Sequence, residues 1–538
     1  MKTGDDDVIR PTNAGRAGVN LFGLFREASA RSPDRPAFVA GARTWTFGEV
    51  DRKIRAFSDA LAALGLRPQD RVLVQARNGL PLFLSAWATW HAGGIWAPVN
   101  ARLSPAEIAY MAERSGAKVF LCDPAYADHA RAAAEAVPSL RVVWTERGGP
   151  RPADEVSLDE ILERATPTDR PAADVTVDTP CWMFFTSGTT GRPKAALLGH
   201  THMASVVMSF LADVLPGSGC EEVFLAIAPL SHGAGVQMLA NVARGATTIV
   251  STASRLDVDE VWTLVERHRV TNVFAVPTIL KALVEHPAVH RHDRASLKRI
   301  TYSGSPMYRV DQKRALETLG PVIVQLYGLA EVTAGITVLP PEEHTLDDAD
   351  PRAASCGFAR TGMEIAILDE AGHPLAAGRT GTVAAKGPNV FLGYFDDPDA
   401  NAKAFRQGWF VTGDLGHLDG SGFLFLTGRA SDMFISGGNN VYPREVEEAL
   451  LEDPAIREVA VFGVPDPFWG EIGIAVAVAN YPHETTEAAV LGRLAGRLSK
   501  YKWPRCVVFW PELPKSGYGK VPKTLVRDAY LAGGPPAG

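Results

Sequence analysis

The sequence predicts an α/β protein: a large N-terminal domain of parallel α/β sheets with a β-rich subdomain, followed by a small, mobile α+β C-terminal domain. Short apolar runs such as RVLVQA (71–76) alternate with longer helical stretches such as 81–91, and this alternation favours parallel sheets with crossover helices. From about residue 360, glycine-richer segments such as MEIAILDEAGHPL indicate strands and turns. The last hundred or so residues suffice for a separate small domain.

The domain boundaries follow from chain length and local composition. A chain of 538 residues is too long for one ordinary core. We predict a flexible arm over residues 1–20, an N-terminal domain over 21–429 whose β-rich part begins near 360, and a mobile C-terminal domain over 430–538. The polar segment GRASD (428–432) marks the junction, and Pro443 in NNVYPREVEEALLEDP is expected in the first turn of a helix.

Composition and charge exclude several classes of protein. The apolar share of 46% and charged share of 21% are those of a globular protein, and a net charge of −7 offers no basic surface for nucleic acid. Five scattered cysteines without a CxxC pair indicate buried free thiols in a reducing cytosol rather than disulfides or zinc. We therefore expect a cytoplasmic protein, monomer or homodimer, without a nucleic-acid partner.

No targeting or membrane segment is expected. The N-terminus is acidic and polar, unlike a signal peptide. The most apolar window, PLFLSAWATWHAGGIWAPV (81–99), is interrupted by His91, by glycines and by prolines. This pattern indicates a buried helix followed by a strand rather than an integral membrane segment.

The segment CWMFFTSGTTGRPK (181–194) carries the clearest chemical signal. A short apolar strand runs into a loop in which glycines let backbone amides converge, hydroxyls add donors and a lysine adds positive charge, so the loop suits an oligophosphate. It is not a Walker A loop, and its alternative interpretation is a solvated turn. The predicted phosphate-binding residues are Thr186, Ser187, Gly188, Thr189, Thr190, Gly191 and Lys194.

This loop resembles the phosphate-loop signature of the adenylate-forming superfamily, which includes acyl-CoA synthetases, peptide synthetase adenylation domains and firefly luciferase. Five further segments resemble the family's motifs in the family's order, over most of the chain. They are APLSHGAG (228–235), YSGSP (302–306), LYGLAE (326–331), GWFVTGDLG (408–416) and LPKSGYGK (513–520). Any one of them alone would be a common turn sequence, whereas six in register indicate a member of the superfamily.

The resemblance implies a nucleotide site and a catalytic group. Tyr327 is expected on adenine, Asp414 on the ribose, and Glu331 on Mg²⁺. These roles suit the residue types, since ribose hydroxyls need an acceptor and adenine needs a flat apolar partner. Thr186, Glu331 and Lys520 are the implied catalytic residues, and the other implied nucleotide contacts are Gly304, Ser305, Pro306, Gly328 and Arg429.

The resemblance also implies an acyl pocket, a CoA segment and a hinge. The acyl pocket is expected from His232, Gly233, Gln237, Tyr302, Ser303, Gly304 and Ala330. Because several of these residues are small, we expect a fatty, branched or aryl monocarboxylic acid. The CoA segment is expected at Ser436, Gly437 and Gly438, and the interdomain hinge at Ser431.

The implied activity is an ATP- and Mg²⁺-dependent ligase that converts a carboxylic acid into an acyl-adenylate and then transfers the acyl group to coenzyme A. Three alternatives stay open at this point: an acyl-AMP ligase that loads a carrier protein, a catalytically weakened nucleotide-binding homologue, and luciferase-type oxidation. Two residues depart from the family pattern. Where the family usually has Thr or Ser, this chain has Ala330, so Thr333 or a water would have to supply the missing hydroxyl donor. Where the family more often has Asp or Lys at the hinge, this chain has Ser431.

Overall fold

The computed structural model describes residues 16–101, 103–147, 155–186, 193–253, 255–305, 307–515 and 521–534. The helices in these ranges are α1 (Phe22–Arg31), α2 (Phe47–Ala63), α3 (Leu80–His91), α4 (Pro105–Ser115), α5 (Ala127–Ala136), α6 (Leu158–Arg164), α7 (His200–Asp213), α8 (Gly233–Ala243), α9 (Val258–His268), α10 (Pro277–Glu285), α11 (Arg309–Leu319), α12 (Pro398–Ala404), α13 (Pro443–Leu451), α14 (Glu487–Gly492) and α15 (Lys523–Leu531).

The strands are β1 (Pro36–Ala40), β2 (Arg43–Thr46), β3 (Arg71–Gln75), β4 (Ile95–Pro98), β5 (Val119–Cys122), β6 (Arg141–Trp144), β7 (Val156–Ser157), β8 (Pro180–Thr186), β9 (Lys194–Gly199), β10 (Val223–Ala226), β11 (Thr247–Val250), β12 (Asn272–Ala275), β13 (Arg299–Tyr302), β14 (Ile323–Leu329), β15 (Val332–Leu339), β16 (Phe358–Ala359), β17 (Glu364–Leu368), β18 (Gly381–Lys386), β19 (Gly393–Tyr394), β20 (Phe405–Arg406), β21 (Trp409–Leu418), β22 (Leu424–Arg429), β23 (Phe434–Ser436), β24 (Asn439–Val441), β25 (Ile456–Asp466), β26 (Gly470–Ala479) and β27 (Cys506–Phe509).

Two mostly parallel sheets form the N-terminal part of the described chain. Sheet A has the order β16-β15-β14-β13-β12-β10-β11-β1-β2, and sheet B the order β19-β9-β8-β4-β3-β5-β6-β7. Their inner strands pair in parallel, for example β12 with β13 and β13 with β14. Because successive parallel strands need crossover helices, this topology confirms the predicted α/β class.

Two smaller sheets follow. Sheet C joins β17, β18, β20, β21 and β22 through antiparallel pairs, and sheet D joins β23 to β27 with one parallel pair, β26 with β27. Sheet C ends at Arg429 and sheet D begins at Phe434, so the segment 430–433 connects them. Sheet D packs against helix α13 over its own apolar clusters.

The main core lies around helix α3, which is buried along almost its whole length. Trp96 of β4 is opposite Trp182 of β8, and the two rings meet edge to face at 4.6 Å between centroids. Trp90 joins the same cluster and donates its indole N–H to the carbonyl of Cys181 at 2.8 Å. The window 81–99 is therefore a buried helix and strand, as predicted. None of the helices in the described ranges combines the length and the apolar character needed to cross a bilayer.

Two local predictions differ from the structure. The sequence predicts a flexible arm that includes residues 16–20. In the structure, Ala17 forms a β-bridge with Thr176, and the Asn20 amide donates to the carbonyls of Trp90 and Ala173 at 3.0 Å each. Residues 1–15 lie outside the described part of the chain. Cys220 is exposed, whereas we expected every thiol to be buried.

A buried histidine predicts a pH dependence of stability. His200 opens α7, is fully buried, and accepts the backbone N–H of Leu21 at its Nδ1 (3.1 Å). Burial lowers the pKa of His200 to about 3, from an ordinary value of 6.5. The unfolded chain therefore binds a proton that the folded chain does not, and stability falls as the pH drops through the range between these two values.

We expect His200→Gln, whose amide oxygen can still accept the Leu21 N–H, to remove this term. Between about pH 7 and about pH 5, the wild type should lose roughly 2 kcal/mol more unfolding free energy than the variant in urea titrations. His373→Gln, at an exposed position, serves as control. Equal losses in the wild type and His200→Gln would contradict the expectation.

Candidate active site

The predicted phosphate loop is held by a hairpin at one edge of sheet B. Strands β8 and β9 pair antiparallel, with Thr186 opposite Lys194. The hairpin register fixes the two ends of the loop beside each other, although Ser187, Gly188, Thr189, Thr190 and Gly191 lie outside the described residues. Two of the predicted phosphate-binding residues, Thr186 and Lys194, are thus brought together.

A tyrosine connects this loop to the predicted metal ligand. Strand β9 also pairs with β19, which places Tyr394 opposite Ala196. The ammonium of Lys194 lies 5.1 Å from the Tyr394 ring centroid, and the Tyr394 hydroxyl donates to Oε1 of Glu331 at 2.7 Å. Glu331 lies in the turn between β14 and β15 and is only 7% exposed. Lys194, Tyr394 and Glu331, which we call the phosphate-end cluster, therefore form one contiguous group.

A second group of side chains forms around Tyr327, which precedes Glu331 by four residues in the sequence. The Tyr327 hydroxyl donates to Oδ2 of Asp414 at 2.6 Å, and the Arg429 guanidinium donates to Oδ1 at 3.1 Å. Asp414 and Arg429 face each other across the β21–β22 pair. Burial raises the pKa of the Asp414 carboxyl, and Arg429 and Tyr327 counteract part of that rise. Burial and the neighbouring carboxylate raise the pKa of Tyr327. We call Tyr327, Asp414 and Arg429 the ribose-end cluster.

The two clusters share strand β14 and its turn. Gly328 continues the strand from Tyr327, and Glu331 follows at its end. The neighbouring parallel strand β13 ends at Tyr302 and continues into Ser303, Gly304 and Ser305. Gly304 has φ of +94°, a left-handed conformation that favours glycine. Because ligands of parallel α/β sheets bind beyond the carboxyl ends of the strands, this loop and both clusters lie where a nucleotide is expected.

Tyr302 differs from its predicted role in the acyl pocket. Its side chain is buried in an apolar cluster of sheet A, where burial raises its pKa. The hydroxyl donates to Gln325 Oε1 at 2.8 Å and accepts from Gln312 Nε2 at 3.1 Å. These partners direct the hydroxyl into the core of the sheet, so we assign Tyr302 a packing role.

The predicted acyl segment begins at His232. Its Nδ1 lies 2.8 Å from the Ser231 hydroxyl, and its ring meets Phe184 edge to face at 5.2 Å. Phe184 in turn stacks on Trp182 at 5.5 Å. A Cβ at Gly233 would lie 2.4 Å from Cζ of Phe274, so close packing requires glycine there. We call Trp182, Phe184, His232 and Phe274 the aromatic wall.

Gln237 and Ala330 have defined surroundings. Gln237 is fully buried on α8 and donates its amide to Asn272 Oδ1 at 2.9 Å. The carbonyl of Ala330 accepts the Thr333 hydroxyl at 2.7 Å. The Thr333 hydroxyl therefore bonds to the backbone in this structure, and the Ala330 side chain itself carries no donor.

The predicted hinge and CoA segments lie on and before sheet D. Ser431 is exposed, and its hydroxyl donates to Asp432 at 3.3 Å. Ser436 ends β23, while Gly437 and Gly438 have φ of +56° and +79° and form the turn to β24. The backbone N–H of Gly437 donates to the carbonyl of Trp469 at 2.9 Å.

Helix α13 joins sheet D to the candidate site. The Tyr308 hydroxyl donates to Glu447 Oε2 at 3.3 Å, and the backbone N–H of Arg309 donates to Glu448 at 3.2 Å. The Tyr308 side chain also packs against the apolar cluster of the C-terminal domain. Glu447, only 2% exposed in its side chain, forms an ion pair with Lys523. Lys520 and Pro306, both predicted for the site, lie outside the described residues.

The site offers a single carboxylate, Glu331, for the predicted metal ion. Within the described ranges, no group of three or more His, Cys, Asp or Glu side chains could bind a metal by itself. Mg²⁺ is commonly held by one or two carboxylates together with substrate phosphates and water. A single oriented carboxylate, Glu331, beside the end of a phosphate loop fits that mode of binding.

The sequence does not predict the contacts that Tyr394 and Tyr308 make at the site. Neither residue lies in one of the six motifs, and neither has a local pattern that distinguishes it from a packing tyrosine. Each acquires its position from a partner far along the chain, β9 for Tyr394 and α13 for Tyr308.

Comparison with known proteins shows the family to which the chain belongs. The AMP-binding enzyme family matches residues 25–395, and the AMP-binding enzyme C-terminal domain matches 445–520. A feruloyl-CoA synthase from Amycolatopsis sp is 34% identical over 93% of this chain and 96% of its own length. A medium/long-chain-fatty-acid–CoA ligase from Mycobacterium tuberculosis is 31% identical over 94% of this chain and 89% of its own. The crystal structure of ATP-bound MatB from Rhodopseudomonas palustris has a TM-score of 0.86 and 28% identity, covering 95% and 98% of the two chains.

The fold and motifs thus define an adenylate-forming enzyme. The chain belongs to the AMP-binding enzyme family. Its predicted class, an AMP-forming acid–thiol ligase, is confirmed by these relatives.

The ribose-end cluster yields a test. Asp414→Asn replaces a charged acceptor by an amide, and hydrogen bonds to charged groups contribute about 1.5–3 kcal/mol. We expect AMP and ATP to bind roughly 10- to 100-fold more weakly, measured by calorimetry. Asp399→Asn, an exposed position on α12, is the control. Unchanged nucleotide affinity in a folded Asp414→Asn variant would exclude the ribose assignment.

Proposed function

We propose that this enzyme is an ATP-dependent carboxylic acid:CoA ligase that acts on aryl or other bulky monocarboxylic acids. One observation carries the proposal. Lys194 at the end of the phosphate loop and Glu331 are joined through Tyr394, at the strand end that also carries Tyr327 and its partner Asp414. This arrangement provides cationic, carboxylate and aromatic groups in the order that a nucleoside triphosphate with its divalent cation requires.

In the first half-reaction, a carboxylate oxygen of the acid attacks the α-phosphorus of ATP. The new P–O bond forms as the bond to pyrophosphate breaks, giving acyl-AMP and pyrophosphate. Thr186 and Lys194 hold the phosphates, Asp414 holds the ribose, and Lys520 stabilises the charge on the reacting oxygens. The residues act by positioning and charge stabilisation, so no protein nucleophile is needed.

Glu331 is the residue we assign to Mg²⁺. When bound, the cation would neutralise charge on the phosphate oxygens. Glu331 is suited to this role because it is anionic, largely shielded from water and held at one oxygen by Tyr394.

In the second half-reaction, the CoA thiol attacks the acyl-adenylate carbonyl. The carbon–oxygen bond to AMP breaks, a thioester forms and the thiol proton is released. We propose that the C-terminal domain rotates about Ser431 between the steps, withdrawing Lys520 and bringing Ser436 to Gly438 to the site. Tyr308 and Arg309 bond to Glu447 and Glu448 of the C-terminal domain, and a rotation about Ser431 would have to break these contacts.

The aromatic wall supports an aryl acid. Of its four rings, only Phe184 and His232 are partly exposed, so these are the two that a bound aryl group would contact, and aromatic rings pack favourably at centroid distances of about 4.5–7 Å. The feruloyl-CoA synthase among the relatives acts on an aryl acid by its name, whereas another relative is named for fatty acids. The local chemistry favours the aryl class.

The decisive assay supplies ATP, Mg²⁺ and hydroxycinnamic, phenylacetic or medium-chain fatty acids, with and without CoA. We expect pyrophosphate release with aryl acids, and sustained AMP production only when CoA is present. Turnover restricted to a phosphopantetheinylated carrier protein would identify an acyl-AMP ligase instead. Nucleotide binding without pyrophosphate release from any acid would identify a weakened homologue.

The proposed role of Lys520 can be tested by measuring the two half-reactions separately. Lys520→Ala should reduce adenylate formation by at least about 10²-fold, because it removes a cation from the transition state. The same variant should still convert supplied acyl-AMP and CoA to thioester. Lys515→Ala, which removes an exposed lysine paired with Glu458, is the matched control. Equal loss of both half-reactions in a folded Lys520→Ala variant would refute the division of roles.

Ala330 offers a gain-of-function test. Because Thr333 donates to the Ala330 carbonyl, a hydroxyl restored at position 330 would add a donor toward the α-phosphate. We expect Ala330→Thr to accelerate pyrophosphate release, by up to about 10²-fold. Ala330→Val, which matches the shape of Thr without its hydroxyl, should not accelerate it. A similar rate for the two variants would show that the hydroxyl is not limiting.

A further inference from the structure

The residue that joins Lys194 to Glu331 has no assigned role in either half-reaction. Tyr394 contacts both groups with different parts of one side chain: its ring faces the Lys194 ammonium and its hydroxyl reaches the Glu331 carboxylate. The two charges it separates are opposite in sign. A smaller side chain would leave them able to approach each other.

The hydroxyl contact orients the carboxylate. A bond of 2.7 Å to Oε1 is a short, charge-assisted hydrogen bond, and it fixes which oxygen of Glu331 is engaged by protein. Carboxylates that bind metals are commonly held in this way by a neighbouring donor, and loss of the donor weakens metal binding by about 10- to 100-fold. The backbone carbonyl of Glu331 is held as well, by the N–H of Phe391 at 2.8 Å.

The ring contact acts on the lysine. The face of an aromatic ring attracts a cation without neutralising its charge, whereas a carboxylate partner would form an ion pair. Lys194 therefore stays beside the phosphate loop with its positive charge available to an anionic ligand.

The backbone around Tyr394 is rigidly placed. Asn401 accepts the Tyr394 N–H at 2.6 Å and donates its amide to the Tyr394 carbonyl at 2.9 Å. Gly393 has φ of +129°, which favours glycine, and strand β19 is paired to β9. These backbone contacts set the point from which the Tyr394 side chain reaches Lys194 and Glu331.

We propose that Tyr394 is a positioning residue that holds the Glu331 carboxylate toward a divalent cation and keeps the Lys194 ammonium apart from it for the phosphates of ATP. The inference rests on the proposed function for the identity of the nucleotide and the cation. It assigns to this enzyme a residue outside its six motifs.

Direct metal binding tests the hydroxyl. Mn²⁺ is titrated by electron paramagnetic resonance into the enzyme with α,β-methylene-ATP, a probe that cannot transfer its adenylyl group to an acid. Tyr394→Phe, which keeps the ring, should weaken Mn²⁺ binding about 10-fold or more. Binding of the same analogue in EDTA should stay unchanged. Tyr126→Phe, in the turn between β5 and α5 and outside the phosphate-end cluster, should match the wild type in both measurements.

The ring is tested by Tyr394→Leu, which should also weaken analogue binding in EDTA because Lys194 is then free to pair with Glu331. The path of the effect is tested in the Glu331→Gln background. If Tyr394 acts through Glu331, adding Tyr394→Phe there should cause no further loss of Mn²⁺ affinity. Additive losses, or wild-type Mn²⁺ binding by Tyr394→Phe, would overturn the proposal.

Folding is checked by thermal melting of each variant. Should Tyr394→Phe melt well below the wild type, Asn401→Ala gives a second test. It removes two hydrogen bonds to the Tyr394 backbone but leaves the three side chains of the phosphate-end cluster unchanged, and it should weaken Mn²⁺ binding in the same direction. Unchanged Mn²⁺ affinity in a folded Asn401→Ala variant would then count against the role. These measurements need no acid turnover, so a failure of the CoA-ligase proposal is distinguishable from a failure of this one.

Discussion

The geometry of the site depends on strand β9, which is hydrogen-bonded on both of its edges. One edge pairs with β8 and fixes Thr186 opposite Lys194, and the other pairs with β19 and delivers Tyr394. The phosphate loop, its lysine and the tyrosine that reaches Glu331 are therefore set by one backbone register. Because a slip of one residue would turn every side chain to the opposite face, the register is strongly specified by the apolar residues that β8 and β9 bury.

The second constraint is electrostatic. Asp414 is a largely buried carboxylate whose two oxygens accept from different donors, Tyr327 and Arg429. Burying a charge is costly unless it is paired and hydrogen-bonded, and here both conditions are met before any ligand arrives. A polar ligand that binds Asp414 has to displace Tyr327 or Arg429, or donate to the carboxylate beside them. This favours a ligand that presents several hydroxyl donors at once, as a ribose does.

Much of the fold could be predicted because its signals are local. The buried helix and strand over 81–99, the alternation of strand and helix, and the helix that starts at Pro443 are written in short sequence windows, and the structure agrees with them. The motif residues Thr186, Tyr327, Asp414 and Arg429 could likewise be named in advance. Their contacts with one another could not, since Tyr327 and Asp414 are 87 residues apart.

Four other residues lie where the sequence does not predict them, for the same physical reason: Tyr302, Tyr394, Ala17 and Asn20. Tyr302 lies in a motif, but its hydroxyl forms hydrogen bonds with Gln325 and Gln312 in the core of sheet A. Tyr394 lies in no motif, yet it contacts two predicted site residues. Ala17 and Asn20 lie in a polar stretch that resembles an arm, but they bind a segment more than 150 residues away. In each case a partner outside the residue's own motif or segment, 10 and 23 residues away for Tyr302 and farther along the chain for the others, decides where the side chain lies.

The packing of Tyr308 against the apolar cluster of the C-terminal domain has an energetic consequence. Any motion that separates the two parts must return part of an aromatic ring and its neighbours to water, which is unfavourable by roughly 25 cal/mol for each Å² of apolar surface. This contact therefore stabilises the orientation seen in this structure relative to a separated one. A ligand that prefers another orientation has an apparent affinity lower than its intrinsic one, so trimming the Tyr308 ring would tighten that ligand without altering any atom it touches.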